Sequence, residues 1–257
     1  MFEVEKEIEK ICKFVRDYYD EHNLTGAVIG ISGGKDSAVV AALLCKALGP
    51  ENVFGLALPC HSNESDLEDA KLISNHYGFP LKTFDLTSTY DSFINEVNNV
   101  TGNNDYDNAN QNLKPRLRMS TLYYFASALS TTDKRYIVAG TSNKSELYVG
   151  YFTKGGDSIH DIDLIADFTV SEVIKIGEAL GVPEKVLYKA PSDGLSGRTD
   201  EDKLGVTYQN IEDYIYNREL DSETKEKVKK LHENNLHKFN IPTYRRWSVC
   251  TRVKKNS

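Results

Sequence analysis

The most constraining feature of this sequence is a glycine-rich octet, Gly30–Ser37 (GISGGKDS), which lies between an apolar run and a helical pattern. The run Ala27–Ile29 is typical of a buried strand, and Ala38–Leu48 is typical of a helix packed on a sheet. A glycine-rich turn between a strand and a helix N-terminus presents backbone N–H groups, and the helix dipole favours negative charge there. The octet therefore predicts a phosphate-binding loop at the edge of a sheet.

The residues within the octet exclude a Walker A loop. Gly30 and Gly34 are one residue too close together, and Asp36 follows Lys35 where a Walker A loop has Ser or Thr. A carboxylate beside a phosphate site makes chemical sense if a Mg²⁺ ion lies between them. An ordinary tight turn is the alternative, but the strand–turn–helix context favours the phosphate loop. The octet resembles the SGGxDS loop of the N-type ATP pyrophosphatases, which cleave ATP between the α and β phosphates.

Composition favours a single cytoplasmic domain over residues 1–257. The chain has 257 residues, 40% of them hydrophobic, which is enough for one large core. The sequence has no apolar run long enough to span a membrane, and its N-terminus does not have the pattern of a secretion signal. The net charge of −7 argues against nonspecific nucleic-acid binding. The four cysteines form no CxxC pair, so neither a zinc site nor a redox pair is predicted.

Alternating strand and helix patterns predict an α/β fold with a doubly wound, mostly parallel sheet and helices on both faces. The predicted strands are 27–29, 52–59, 81–86 and 135–139, and the predicted helices are 3–22, 38–48, 64–77, 88–100, 114–129, 169–180, 208–216 and 222–234. Residues 101–112 are polar and aperiodic, and they predict an exposed loop that leaves Pro115 in the first turn of the next helix. Residues 191–202 are predicted to form a lid.

Polar residues follow the predicted strands, at the edge of the sheet where ligands bind in such folds. The loop Pro59–Ser62 is either a wall for an adenine ring or a plain connection. Arg116 and Arg118 either face solvent or hold an anion. Glu146 follows a Gly/Thr/Ser turn and is either a second carboxylate of the crevice or an acid stabilised by a helix dipole.

Four further stretches resemble ammonia-dependent NAD⁺ synthetase: 114–119 (KPRLRM), 140–157 (GTSNKSELYVGYFTKGGD), 197–208 (GRTDEDKLGVTY) and 237–238 (HK). With the octet, they occur in consistent order over about residues 8 to 242. That family amidates deamido-NAD⁺ (nicotinic acid adenine dinucleotide) to NAD⁺ with ammonia and releases AMP and pyrophosphate. The resemblance implies an adenine nucleotide alpha hydrolase-like fold, ATP as co-substrate, Mg²⁺ and a homodimer.

The resemblance also implies roles for individual residues. ATP is contacted by Gly30, Ile31, Ser32, Gly33, Gly34, Lys35, Asp36, Ser37, Thr141 and Ser192. Deamido-NAD⁺ is contacted by Arg116, Lys154, Asp161, His237 and Lys238. Asp36 and Glu146 share Mg²⁺, which selects the metal-ligand interpretation of Glu146. No side chain acts as a covalent nucleophile, and Asp36, Glu146 and Lys154 stabilise charge.

The implied chemistry suits these residue types. A nicotinate carboxylate is a poor electrophile toward ammonia, and its attack on the ATP α-phosphate converts it to an acyl-adenylate. Mg²⁺ and the loop N–H groups would stabilise the charge that develops on pyrophosphate. Ammonia then displaces AMP, so catalysis consists mainly of positioning and charge stabilisation.

The sequence departs from the family pattern at two places. Val170 stands where the family has a lysine that contacts ATP, and Lys35, Lys175 or Lys189 is expected to replace that charge if any residue does. The aspartate often found after the Pro-Ser pair is shifted in the run 192–195. The segment before the first strand is too short for the amidase domain of glutamine-dependent relatives, so free ammonia is the expected nitrogen donor.

Two other interpretations of the same motifs exist. Another ATP pyrophosphatase with the same loop, for example one that acts on tRNA, would usually carry a basic surface or paired cysteines, and neither is evident in the sequence. A non-catalytic nucleotide-binding homologue is supported only by Val170. Asp36, Glu146, Lys154 and Arg116 all remain in place, which favours an enzyme.

Overall fold

Five parallel strands form one sheet in the computed structural model, which describes residues 2–102, 106–189, 200–240 and 242. In chain order the strands are β1 (Gly26–Gly30), β2 (Val53–Ala57), β3 (Leu81–Thr83), β4 (Tyr136–Gly140) and β5 (Ile162–Asp163). Their order across the sheet is β3-β2-β1-β4-β5, and every pairing is parallel. The strand order reverses between β1 and β4, so a crevice opens at the carboxyl ends of these two strands.

Helices cover both faces of this sheet, which confirms the predicted doubly wound architecture. Helices α1, α2 and α7 pack against one another on one face, and α5 packs on β1 and β4 from the other. The described helices are α1 (Val4–His22), α2 (Lys35–Leu48), α3 (Glu64–Tyr77), α4 (Thr87–Thr101), α5 (Asp107–Leu129), α6 (Lys144–Val149), α7 (Val170–Leu180), α8 (Glu184–Leu187), α9 (Asp200–Leu204), α10 (Tyr208–Ile215) and α11 (Ser222–Asn235). Over the described residues, no helix is both long and apolar enough to cross a membrane.

The sheet is buried on both faces, and successive residues of β1 pack into two separate cores. Ile29 packs into the larger core with Leu43 and Leu44 of α2, and all three are fully buried. Its neighbour Val28 points to the opposite face and packs with Leu56 in the smaller core beneath α5. Adjacent strand residues face opposite sides, so a strand covered on both sides is apolar throughout. This explains why β1 appears in the sequence as an uninterrupted apolar run.

The prediction of an exposed loop over 101–112 is wrong from Asp107 onward, because α5 begins there. Pro115 consequently lies inside the helix and not in its first turn. Asn112 faces the crevice and accepts a hydrogen bond from the Thr153 hydroxyl at 2.8 Å. The first turns of α5 carry polar side chains because they line a cavity, so they lack the apolar period that marks a helix packed on a core.

Two predicted strands are longer than the strands in the structure. The strand predicted at 52–59 is shorter, at Val53–Ala57, and the strand predicted at 81–86 ends at Thr83. Beyond Thr83 the chain still donates backbone hydrogen bonds to the segment after β2, from Phe84 N to Ala57 O and from Leu86 N to Pro59 O. Strand β5 was not predicted, because two residues carry no periodic pattern.

Replacing Leu43 by Ala should destabilise the protein strongly, because the side chain is fully buried at the centre of the larger core. We expect a loss of about 2–5 kcal/mol in the free energy of unfolding. Leu72 of α3 is 37% exposed and provides the matched control, with an expected loss below about 1 kcal/mol for Leu72→Ala. Urea unfolding followed by circular dichroism measures both. Equal losses would contradict the placement of α2 at the centre of this core.

Candidate active site

The glycine-rich octet lines a cavity of about 760 Å³ at the carboxyl ends of β1 and β4. Gly33 has φ +80, and a Cβ there would lie 2.4 Å from the backbone oxygen of Asp66, so only glycine fits. The Ser37 hydroxyl accepts a hydrogen bond from Ser32 N at 3.2 Å and donates to Gly34 O at 3.1 Å. The turn is thus held by its own side chains and by α3, and it ends where α2 begins.

Asn143, a residue that the sequence analysis missed, joins the two predicted metal-binding carboxylates. Its side-chain nitrogen donates to Asp36 Oδ1 at 3.1 Å, and its side-chain oxygen accepts from Glu146 N at 3.1 Å. Glu146 Oε2 in turn accepts from Asn143 N at 3.2 Å, which completes a capping box at the start of α6. Asn143 is fully buried. Glu146 is therefore both the acid of a helix N-terminus and a carboxylate of the crevice.

Burial and the proximity of two like charges make this carboxylate pair a favourable binding site for a cation. Burial, followed by the nearby Asp36 charge, raises the pKa of Glu146 well above its usual range. The Lys35 ammonium lies 3.0 Å from Asp36 Oδ2 and is itself buried. Burial lowers the pKa of Lys35, but Asp36 and Glu146 outweigh that effect and the net pKa is raised. The lysine thus offsets part of the negative charge around the pair.

The donor set fits a Mg²⁺ ion shared with a nucleotide. Within the parts of the chain that the structure describes, no three His, Cys, Asp or Glu side chains form a metal site made of protein alone. Mg²⁺ in nucleotide sites commonly takes one or two carboxylates and completes its shell with phosphates and water. Asp36 and Glu146, brought to one cavity by β1 and β4, supply the two carboxylates that such a site needs.

The predicted dinucleotide contacts come together from three distant stretches of the chain. Arg116 Nη2 donates to Lys154 O at 3.2 Å, and Lys154 Nζ donates to His237 O at 3.1 Å. Lys238 Nζ donates to the backbone oxygens of Gly150 and Phe152, at 2.6 and 2.8 Å. Lys238 also lines the cavity. These four basic residues therefore form one basic rim, which reaches the cavity of the phosphate loop at Lys238.

The remaining predicted site residues have different placements. Thr141, directly after β4, lines the cavity. Asp161 is held beside β4, where it accepts hydrogen bonds from Tyr123 Oη at 3.0 Å and Val138 N at 2.8 Å. Ser192 lies outside the described residues, as does most of the predicted lid.

Arg118 holds the loop after β2 at the cavity, and the contact of that loop with an adenine ring stays a prediction. Its guanidinium donates to Leu58 O at 3.1 Å and to Ser62 Oγ at 3.4 Å, and it lines the cavity together with Pro59. Lys114, one helical turn before Arg118, is buried and lines the same cavity. The loop Pro59–Ser62 is therefore a cavity wall. The sequence signal that could have identified Lys114 and Arg118 together is their spacing of four residues, which places both on one face of a helix.

The structure shows which of the three candidate lysines can supply the positive charge that Val170 lacks. Val170 packs in an apolar cluster with Tyr208, so it brings no charge to the cavity. Lys35 reaches the same region, with its ammonium 5.8 Å from the centre of the Tyr208 ring. Lys35 and Lys189 line the cavity, whereas Lys175 is exposed on α7 and does not.

A glycine-rich loop at a helix N-terminus, a pair of carboxylates and a rim of cations at the switch point of a parallel sheet are typical of an α/β enzyme that binds a nucleotide. Residues 7–254 match the family model described as NAD synthase. The chain belongs to the NAD synthase family, and it is accordingly a ligase of NAD biosynthesis that acts by ATP-dependent amidation.

Curated relatives match nearly the whole chain. The NH(3)-dependent NAD(+) synthetase of Carboxydothermus hydrogenoformans is 42% identical over 93% of this chain and 96% of its own length. That of Finegoldia magna is 39% identical over 90% of this chain and 91% of its own. These matches extend well beyond the phosphate loop and support the identity of the family.

Solved structures show the same fold. NMN synthetase from Francisella tularensis has a TM-score of 0.88 at 32% identity and covers 96% of this chain and 100% of its own. NH3-dependent NAD synthetase from Campylobacter jejuni has a TM-score of 0.76 at 31% identity and covers 95% of this chain and 100% of its own. The fold predicted from the sequence is thereby confirmed.

Replacing Glu146 by Gln should stabilise the ligand-free protein near neutral pH. Because the folded-state pKa of Glu146 is raised above its usual 4.5, the folded protein binds this proton more tightly than the unfolded chain does. Stability is therefore lost as the pH rises from about 4.5 through the raised pKa, and Glu146→Gln removes that loss. We expect the variant to have the higher melting temperature at about pH 8 and a flatter pH profile.

Thermal unfolding from about pH 5 to about pH 8, without nucleotide and with a chelator, measures this effect. Glu172 is the matched control, because it occupies the same position in the capping box of α7. Glu172→Gln should show no such gain. A Glu146→Gln variant that is less stable than the parent across the whole range would contradict the electrostatic account.

Proposed function

We propose that this protein amidates deamido-NAD⁺ to NAD⁺ with ammonia, through an acyl-adenylate, with Asp36 and Glu146 holding Mg²⁺. The observation that carries the proposal is a single cavity lined by the phosphate loop, by Asp36 and Glu146, which Asn143 joins, and by Lys238 of the basic rim. The relatives named NH(3)-dependent NAD(+) synthetase support the same substrates.

In the first half-reaction, the octet holds the triphosphate of ATP. Its backbone N–H groups and the N-terminus of α2 face negative charge, so they stabilise the phosphates. A nicotinate carboxylate oxygen bonds to the α-phosphorus while the bond from that phosphorus to the bridging oxygen breaks, and pyrophosphate leaves. Mg²⁺, when bound by Asp36 and Glu146, neutralises phosphate charge. Lys35, which lies beside Asp36, adds a positive charge at the same point.

In the second half-reaction, the ammonia nitrogen bonds to the acyl carbon and the bond from that carbon to the AMP oxygen breaks. AMP departs with its phosphate, and the proton lost by nitrogen goes to solvent. The basic rim of Arg116, Lys154, His237 and Lys238 supports a role in positioning deamido-NAD⁺, because cations there can pair with its diphosphate. Thr141 and Ser192 are assigned to ATP, and Asp161 to deamido-NAD⁺.

A second candidate acceptor is the corresponding mononucleotide, nicotinate mononucleotide. One observation favours it, because the TM-score to the NMN synthetase of Francisella tularensis is 0.88, against 0.76 to the Campylobacter jejuni NAD synthetase. The two reactions share every chemical step and differ only in whether the acceptor carries an adenylate. The ratio of kcat/KM for the two acceptors therefore distinguishes them.

Purified protein with ATP, Mg²⁺, ammonium and deamido-NAD⁺ should form NAD⁺ and AMP in equal amounts. Asp36→Ala should lower both rates by about 100-fold or more, because it removes one of the two carboxylates that would hold the Mg²⁺ ion beside the phosphates. Asp17 is an exposed residue of α1 that pairs with Lys13, and Asp17→Ala provides the control, with an unchanged rate.

The acceptor comparison belongs to the same assay. A kcat/KM that is higher for deamido-NAD⁺ than for nicotinate mononucleotide supports the proposal, and the reverse order replaces it with the second candidate. AMP formed without either amide would point to another acceptor. Absence of all products from folded protein would favour the non-catalytic interpretation.

We further propose that the protein is a homodimer that joins through α4 and α5. Helix α4 has no buried residue, and its Phe93 and Val100 are 51% and 84% exposed. Tyr124 of α5 is 72% exposed and lies beside Phe125, which also contacts the exposed Phe84. Several exposed large apolar side chains on adjoining elements support an interface with a second copy of this chain.

Tyr124→Asp should convert the dimer to monomer, because a charge buried in an apolar interface without a partner is costly. Size-exclusion chromatography with light scattering at several protein concentrations measures the molecular mass. Phe14→Asp is the matched control, since Phe14 is 52% exposed on α1, on the opposite face of the sheet. A dimer broken by Phe14→Asp and not by Tyr124→Asp would place the interface on α1.

A further inference from the structure

We propose that Lys189 is an additional ATP-binding residue, whose ammonium contacts the β and γ phosphates and the pyrophosphate that leaves. This inference rests on the proposed function, because it takes the Gly30–Ser37 loop to be the triphosphate site. It assigns a role to a residue that follows α8, outside both the loop and the carboxylate pair.

Lys189 is placed beside the phosphate loop by helix α3. Its ammonium lies 2.7 Å from Asp66 Oδ1 and 2.6 Å from Asp69 Oδ2. Lys189, Asp66, Gly33 and Gly34 all line the same cavity. The backbone of Asp66 packs so closely on Gly33 that even a Cβ would not fit there. The Lys189 ammonium is therefore separated from the loop by a single residue.

The charges around Lys189 allow its ammonium to move toward a phosphate. Asp69 is 1% exposed, and its other oxygen pairs with Lys185 Nζ at 2.6 Å. If Lys189 shifts, this buried carboxylate still has a cation, so no unpaired charge remains in the protein. Asp66 is partly exposed and can be hydrated instead. A triphosphate carries several negative charges, so it competes well with the single charge of Asp66.

The two lysines that pair with Asp69 differ in exposure and in access to the cavity, so comparing them distinguishes a structural role from ligand binding. Lys185 lies on α8, and Lys189 lies two residues after the end of that helix. The side chain of Lys185 is 62% exposed and does not line the cavity, whereas that of Lys189 is 27% exposed and does. A role limited to neutralising Asp69 would apply equally to both lysines. Only Lys189 can also reach a ligand.

The experiment compares the binding of ATP and of AMP by isothermal titration calorimetry, without deamido-NAD⁺. Lys189→Met should weaken ATP binding by about tenfold or more, since a charge-assisted contact is lost. It should leave AMP binding within about twofold, because AMP lacks the β and γ phosphates. Lys189→Arg should bind ATP nearly as well as the parent. Lys185→Met, the matched control, should change neither affinity.

In steady-state assays, Lys189→Met should raise KM for ATP and the Ki of pyrophosphate together, with KM for deamido-NAD⁺ unchanged. Thermal unfolding checks each variant, and Lys189→Gln replaces Lys189→Met if the latter does not fold. Equal weakening of ATP and AMP, or the same loss in Lys185→Met, would overturn the proposal. Wild-type protein that binds ATP but makes no NAD⁺ would contradict the proposed function alone, because the calorimetric comparison needs no turnover.

Discussion

The active site depends on one buried side chain, that of Asn143. Its amide contacts Asp36 of the loop after β1 and caps the helix that carries Glu146 after β4. These two strands are neighbours in the sheet, and the strand order reverses between them. A fully buried amide with both ends hydrogen-bonded holds the two carboxylates in a fixed relation, at the point where a parallel sheet has an open crevice.

That relation has an electrostatic cost, because two carboxylates and a buried lysine lie close together in a mostly buried site. Burial and the charge of Asp36 raise the pKa of Glu146, and Lys35 offsets only part of this effect. Such a cluster is less stable alone than with a divalent cation and phosphates. The ligand-free protein is therefore locally less stable at this site. The two apolar cores on either side of β1 stabilise the sheet that carries it.

Cations are distributed around the cavity on separate elements, and each is held by an acceptor of the protein. Arg118 is held by the loop after β2, Lys238 by backbone oxygens near α6, and Lys189 by α3. Arg118 and Lys238, held by neutral oxygens, need little rearrangement when an anionic ligand binds, whereas Lys189 would shift from its carboxylates toward the phosphates. This explains how a chain with net charge −7 can still present a basic surface to nucleotides.

The amino-acid sequence was enough to predict the sheet class, the glycine-rich turn between β1 and α2, and the family, because apolar periods and a contiguous glycine-rich octet are local signals. It also indicated Glu146, whose position after a strand left two interpretations open. Only the tertiary structure showed that Asn143 joins Glu146 to Asp36, that α5 begins at Asp107, and that Lys189 lies beside the loop. Contacts between residues more than a hundred positions apart leave no periodic pattern in the chain, and a helix that faces a cavity loses the apolar stripe by which helices are recognised.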